Sequence, residues 1–202
     1  MDDELLDTFD EHGRPLGIKR RGDVHRDGDW HLAFHLWVVR ADGVLLQRRA
    51  LTKGSWPGFL DASAAGHLLA GETIADGLRE VEEELGVVYA FDALAPLGVH
   101  RVADRERDGR TNRELQHVFA VRDERALEAW TDFDRAEVDG VVLVSHAGFA
   151  TLVAGGSDRV AATAWDGVRA APIAVAAGEL VPTPYLKDIA PELLRIAVET
   201  EH

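Results

Sequence analysis

Arg79, Glu80, Glu83 and Glu84 crowd into six residues, and Gly86 closes the run. If the chain from about Ile74 to Leu85 is helical, each residue turns it by roughly 100 degrees. With Glu80 at zero, Glu84 falls near roughly 40 degrees, Glu83 near roughly 300 and Asp76 near roughly 320. Ile74, Leu78, Val81 and Leu85 cluster between about 100 and 160 degrees, an apolar stripe on the other side. One face can enter a core while the other concentrates carboxylates, with Glu82 left to solvent. Like charges at this spacing repel by a few tenths of a kcal/mol per pair, offset in part by the i, i+4 pair of Arg79 with Glu83. Hard oxygen donors so grouped suit a divalent cation such as magnesium, manganese or calcium. A solvated acidic face on an amphipathic helix is the plainer alternative.

The ends of this helix bear on the choice. Thr73 with Asp76 three residues on resembles a capping box, Asp standing where Glu or Gln is usual. Gly86 stands where a left-handed C-cap is expected, and Val87-Val88-Tyr89 then reads as a strand. Gly66 and Gly71 bracket a loop able to approach a ligand closely. A glycine loop, a carboxylate-lined helix and a terminating glycine together read as a site.

The stretch from Gly66 to Val87 resembles the Nudix box, G-x5-E-x7-R-E-U-x-E-E-x-G-U, with U a bulky aliphatic residue. Arg79, Glu80, Val81, Glu83, Glu84, Gly86 and Val87 match its second half, and Gly66 and Glu72 match the first at the right spacing. One departure stands out: six residues separate Glu72 from Arg79, where the pattern has seven. That puts the role of Glu72 in question but leaves the acidic face untouched.

From His25 to Phe119 the text (VHRDGDWHLAFHLWVV, LLQRRALTKGSWPG, AAGH, NRELQHVF) is similar to the isopentenyl-diphosphate isomerase branch and the Nudix hydrolases sharing its architecture. By that resemblance His25, His31 and His67 match metal histidines, the first two one residue closer together than in the isomerase, and Glu114 matches a catalytic glutamate. Asn112 stands at a neighbouring metal carboxylate position, and Ala65 stands where the isomerase has its cysteine. Alanine cannot carry a proton, so the isomerase acid–base pair is broken. With Glu80, Glu83 and Glu84 all present, the resemblance implies hydrolysis over isomerisation. A loop-bound structural role is the competing reading for His25 and His31.

The implied activity is hydrolysis of a pyrophosphate bond in a nucleoside diphosphate-linked or other organic diphosphate. Mg2+ or Mn2+ held by Gly66, Glu80, Glu83 and Glu84 would neutralise phosphate charge and acidify a bound water. Glu83, Glu84 or Glu114 would take that water's proton. Arg48 or Arg49 with Lys53 would bind phosphates, and His25, His31 and His67 would face the substrate. Trp56 offers a stacking surface, with core packing as the alternative. Isomerase, non-catalytic nucleotide sensor and acidic interaction module are the rival readings; the last leaves the box unexplained.

Composition sets the frame. The 202 residues, 46% hydrophobic and 29% charged, fit one globular domain. The resemblance divides it into an opening hairpin (about 1–20), a Nudix core (about 30–145) and a C-terminal helical extension (about 146–202). A net charge of −14 argues against nucleic acid as partner. There is no cysteine, hence no disulfide framework and no thiolate metal site or nucleophile. The acidic N-terminus lacks a signal-peptide pattern and no window is long and apolar enough to span a membrane, so a soluble cytoplasmic protein is expected. The family allows a homodimer.

Residues 4–9 and 14–19 predict a hairpin, and Arg21 to His31 reads as a polar surface loop. Leu32–Arg40 and Val44–Arg48 predict strands around the Ala41-Asp42-Gly43 turn. Two adjacent arginines on a strand point to opposite faces, so at most one of Arg48 and Arg49 faces a given site. Strands are expected over Val87–Leu97 and Gly98–Ala103 with a turn at Pro96, then a hairpin loop over Asp104–Arg113. The returning strand, Glu114–Arg122, alternates through Leu115, His117 or Val118, and Phe119. Val138–Val144 is a short strand, Ser145-His146-Ala147-Gly148 opens a helix or loop, residues 153–178 give no element, and Leu186–Val198 is a terminal helix. Strands alternating with two main helices suggest an α/β sandwich, in agreement with the Nudix-type α/β/α sandwich and mixed sheet that the resemblance implies.

Overall fold

The computed structural model describes residues 3–105, 111–156 and 159–199. A hairpin of β1 (Leu5–Phe9) and β2 (Pro15–Arg20) leads into helix α1 (Arg21–Asp27), the long strand β3 (Trp30–Arg40) and β4 (Gly43–Arg49). Two short strands follow, β5 (Leu60–Asp61) and β6 (Ala64–His67), then a 3-10 turn (Ile74–Gly77) continuous with α2 (Leu78–Leu85). β7 (Ala95–Arg105) pairs with β8 (Thr111–Arg122), and the chain ends with β9 (Val138–Val144), α3 (His146–Val153), β10 (Val160–Trp165), β11 (Ala170–Val175) and α4 (Leu186–Val198).

All eleven strands of the described residues join one mixed sheet. β3 is its hub: it pairs in parallel with β8 from Trp30 to Val39, while its other edge is shared by β6 (Ala33–Leu36) and β4 (Val38–Arg40). The sheet therefore forks. Buried Ser63 fills the fork, its Oγ accepting from Val38 N at 2.7 Å and donating to the Leu45 carbonyl. Strand alternation sends Trp37, Val39, Leu46, Val118 and Ala120 toward α3 and α4, and Phe34, Leu36, Val38 and Leu45 toward α2. The result is an α/β/α sandwich, and no described helix is long and apolar enough to cross a membrane.

Several expectations change. The stretch from Arg21 to His31 is not a surface loop: α1 buries Val24 and His25 and is closed by Gly28 in the left-handed conformation. Residues 153–178 hold the β10–β11 hairpin, which extends the sheet from β9, so the C-terminal extension is not wholly helical. Alanine-rich strands carry little side-chain signal of their own; pairing with β9 imposes the conformation. Val87-Val88-Tyr89 forms no strand, and Pro96 lies within β7 at a register shift instead of in a turn. The β7–β8 register runs out to Arg105 and Thr111, further than the loop expected over Asp104–Arg113, whose tip at 106–110 lies outside the described residues. In β8 the buried residues are Glu114, Gln116 and the run from Val118 to Val121, so Phe119 is buried as expected while Leu115 and His117 are half-buried. Polar residues therefore occupy the inward positions next to β3.

Candidate active site

Because β6 is short and pairs with β3, its other edge presents unpaired backbone groups, a condition that folds must cover. Side chains of α2 cover it. Glu84 accepts from Ala65 N at 3.0 Å and from Gln47 Nε2 at 3.1 Å, while Arg79 reaches the His67 carbonyl at 3.4 Å. Between them Glu80 lies against Gly66, where any Cβ would fall 2.1 Å from the Glu80 carboxyl carbon. Gly86, left-handed at φ 65°, ends α2 and donates to Glu82 O.

The four box charges thus separate into roles. Burial pushes the Glu84 carboxyl up to about 8 and raises Glu80 as well, against the pull of Arg79. Glu83 swings outward, 54% exposed, and takes Arg79 Nη1 at 2.8 Å. Glu72 is held too: one oxygen accepts Leu69 N at 2.7 Å and the other Arg79 Nε at 3.1 Å.

On the opposite face of β6 lies a second constellation. One ring nitrogen each of His25 (α1), His31 (β3) and His67 (β6) fall within 4.8 Å of one another. His31 Nδ1 sits 3.2 Å from the Asp29 carbonyl, an acceptor only, so Nδ1 carries the proton and buried Nε2 is a lone pair with no hydrogen-bond partner, 3.9 Å from Glu114. Glu114 accepts from His67 Nε2 at 2.9 Å, Asn112 Nδ2 at 2.8 Å and Gln116 Nε2. Burial holds His67 down to about 3 and lowers His31, so both rings are neutral. Burial works against the Glu114 charge, yet its donors keep that carboxyl well below the usual range. Neutral imidazoles beside an ionised carboxylate are a donor set for a divalent transition metal. Among the described residues these histidines are the group whose ligand atoms converge in this way; the box glutamates do not.

Arg48 and Arg49, expected as phosphate ligands, have protein partners. Arg49 pairs with buried Asp61 at 3.0 Å and with Ser55 O, and Arg48 bonds Gly58 O at 3.2 Å. Lys53 pairs with Glu137. Burial lowers Lys53, while Glu84 and Glu80 lie in its field. Trp56 packs edge-on against Phe59, 5.1 Å between centroids.

Sequence reasoning missed Arg21, Gln47 and Gln116. Arg21, at the start of α1, pairs with Glu4 at 2.9 Å, and its charge is a minor influence on Glu80, His31 and His67. Gln47 follows the apolar run of β4 and Gln116 lies in the polar first half of β8; both amides are buried, and strand alternation gives no signal for either.

With this geometry in place, the comparisons agree with one another. The NUDIX domain model matches residues 29–163. An uncharacterised Nudix hydrolase of Clostridium acetobutylicum is 37% identical over 149 residues, 71% of each chain. An isopentenyl-diphosphate Delta-isomerase of Corynebacterium diphtheriae is 42% identical over 152 residues, 71% of this chain and 79% of that one. In fold, the crystal structure of DR0079 from Deinococcus radiodurans superposes with a TM-score of 0.62 at 20% identity, covering 94% of this chain and 99% of the other. A box helix laid along the free edge of β6, with this likeness through most of its length, makes the chain a member of the Nudix family of hydrolases.

Proposed function

We propose that the enzyme hydrolyses a pyrophosphate bond in a small organic diphosphate, nucleoside-linked or otherwise, with Mg2+ or Mn2+. The observation that carries this reading is Glu80 and Glu84 laid against Gly66 and Ala65 on the edge of β6, with Glu83 on the same helix, where an isomerase needs an acid–base side chain at the position of Ala65. Gly66, Glu80 and Glu84 would hold one cation, with Glu83 left on the solvent side, and His25, His31, His67 and Glu114 would hold a second, for which imidazole donors favour Mn2+ over Mg2+. Bound cations supply charge neutralisation of the diphosphate and a more acidic water.

The chain's own residues do the rest. Arg21, paired with Glu4, and Lys53, paired with Glu137, are the cations whose fields reach Glu80, and they would meet the phosphates. Glu83, exposed and held by Arg79, is the carboxylate with room to take a proton from an attacking water. Glu114, already accepting three hydrogen bonds, positions His67 instead. The net charge of −14 supports a small-molecule substrate over a nucleic acid.

The test is a panel of organic diphosphates with Mg2+ or Mn2+, read as phosphate release, alongside isopentenyl diphosphate followed by proton NMR. Glu83→Gln is expected to lower turnover by orders of magnitude with the fold intact. Isomerisation of isopentenyl diphosphate without phosphate release would overturn the reading.

A further inference from the structure

Three cations stand at the end of β4 and in the loop after it, and they differ in how they are held. Each guanidinium nitrogen of Arg49 serves the fold: Nη1 donates to Asp61 at 3.0 Å, and Nε and Nη2 to the Ser55 carbonyl at 3.2 and 3.1 Å. Arg48 donates to the Gly58 carbonyl at 3.2 Å. Among the described residues, the Lys53 ammonium has one hydrogen-bond partner, the Glu137 carboxylate. An ammonium on a four-carbon stem turns to a new acceptor with its backbone in place. Arg49 cannot leave without stranding buried Asp61. The Lys53 and Glu137 side chains are only 14% and 21% exposed, so Lys53 needs a counter-charge wherever it turns.

Glu137, by contrast, is fixed through its backbone. Its N–H donates to the Asp134 carbonyl and its own carbonyl accepts Ala50 N, both at 2.9 Å. Thr52 Oγ1 donates to the Ala136 carbonyl at 3.1 Å. Asp134 N in turn donates to the Glu84 carbonyl at 3.3 Å, in the last turn of α2. The turn from Asp134 to Glu137 therefore ties the box helix to the loop that carries Lys53, and sets a carboxylate against that loop's only cation. The charges of Glu84 and Glu80 also act on Lys53, so the ammonium serves a ligand bound along that face. A diphosphate there offers Lys53 a second anion. Glu137 cannot follow, and its own charge opposes that of the diphosphate.

We infer that Glu137 is a positioning residue that holds Lys53 while the site is empty and competes with the diphosphate for it. Binding exchanges one Lys53 ion pair for another, so affinity follows the difference between the two pairs. The same exchange runs backwards after cleavage: the products leave as Lys53 returns to Glu137. This rests on the diphosphate-hydrolase reading above, and adds the residue that restrains its phosphate-facing lysine. Tight binding of substrate and products would not by itself speed the reaction, which gives such a restraint its use.

The experiment measures calorimetric affinity for methylenediphosphonate, whose carbon bridge cannot be hydrolysed, with Mg2+ present. It compares wild type, Glu137→Gln, Glu137→Asp, Lys53→Met and the Lys53→Met, Glu137→Gln double variant. Glu137→Gln is expected to bind the probe tighter by about threefold or more, and Lys53→Met to bind it more weakly. On the Lys53→Met background, Glu137→Gln is expected to tighten binding by much less, because no lysine is left to release. With a diphosphate that is cleaved, Glu137→Gln is expected to lower KM and to strengthen inhibition by product phosphate. A merely structural Glu137 would lower Tm and leave probe affinity unmoved. If Glu137→Gln fails to fold, Glu137→Asp carries the test: its carboxylate is drawn back by one methylene, and tightening in the same direction is expected. Weaker or unchanged probe binding in the Glu137 variants overturns the proposal and leaves the hydrolase reading standing. Equal tightening with and without Lys53, or no probe binding by any of the proteins, overturns it as well. Failure to cleave any organic diphosphate defeats the hydrolase reading, while the probe affinities still decide the role of Glu137.

Discussion

Arg79 and Glu72 are joined Nε to Oε1 at 3.1 Å, across a box one residue shorter than its family pattern. Between them the chain runs through the 3-10 turn Ile74–Gly77, which winds with about three residues per turn where an α-helix needs 3.6. From the helix that follows, Arg79 reaches Glu72, Glu80, Glu83 and the His67 carbonyl together. Glu72 is thus a positioning residue.

From this, Glu72→Gln is expected to lower kcat/KM by roughly 10- to 100-fold, the range found when an outer-shell partner is lost. The accompanying loss of stability is expected to be about 1 kcal/mol, because the pair is partly exposed. Steady-state kinetics and a denaturant titration on the same sample check both. Full activity in Glu72→Gln would show that Arg79 needs no anchor.

How much of this was visible in the sequence depends on what each residue's signal looks like. The acidic face of α2 was legible because its spacing is local and its capping residues, Thr73 and Gly86, sit at the ends. The joining of His25, His31 and His67 came only through the family likeness, since nothing in periodicity links three residues on three elements. Helix α1 was hidden by its charges: two buried side chains in seven residues give no apolar stripe. Gln47 and Gln116 were hidden by their neighbours, because strand alternation marks apolar residues as inward and is silent on buried amides. The tying of Arg49 to Asp61 is a contact between two strands, and an arginine that serves the fold looks in sequence like one that serves a phosphate.

Two glycines separate a catalytic from a structural requirement. At Gly66 an added Cβ meets the carboxyl end of Glu80, which can move aside; at Gly77 it meets the Phe34 ring at 2.6 to 2.7 Å inside the core. Gly66→Ala is expected to keep its stability within about 1 kcal/mol but to lose activity by displacing Glu80. Gly77→Ala is expected to cost about 1–3 kcal/mol, the scale of overpacking a core. Melting curves and turnover measured together check the contrast, and equal stability losses in the two would refute it.

The histidine cluster predicts a metal-dependent gain in stability. Ligands that bind the native state alone stabilise it by about 2.7 kcal/mol at a hundredfold excess over Kd. Mn2+ added to chelator-treated protein is expected to raise Tm by several degrees, and His31→Gln to remove most of that rise. A rise undiminished in His31→Gln would place the ion elsewhere.

Glu84 makes stability depend on pH in a definite direction. Its folded-state value of about 8 lies above the ordinary 4.5 because burial disfavours its charge. Between those values the native state holds a proton that the unfolded chain has released. Raising pH through that window therefore destabilises metal-free protein, and the effect is complete above about 8. Glu84→Gln keeps an oxygen to accept the Ala65 N–H but cannot ionise, so it removes this contribution alone. In chelator, the Tm of wild type is expected to fall relative to Glu84→Gln as pH rises from about 5 to 8. A divalent cation at the carboxylate stabilises its charged form, so adding Mn2+ is expected to flatten the difference. Scanning fluorimetry of both proteins over that range, with chelator and with Mn2+, reads the result. Parallel curves in chelator would mean that Glu84 is ionised throughout, and that Lys53 and Gln47 suffice to hold its charge in the apo protein.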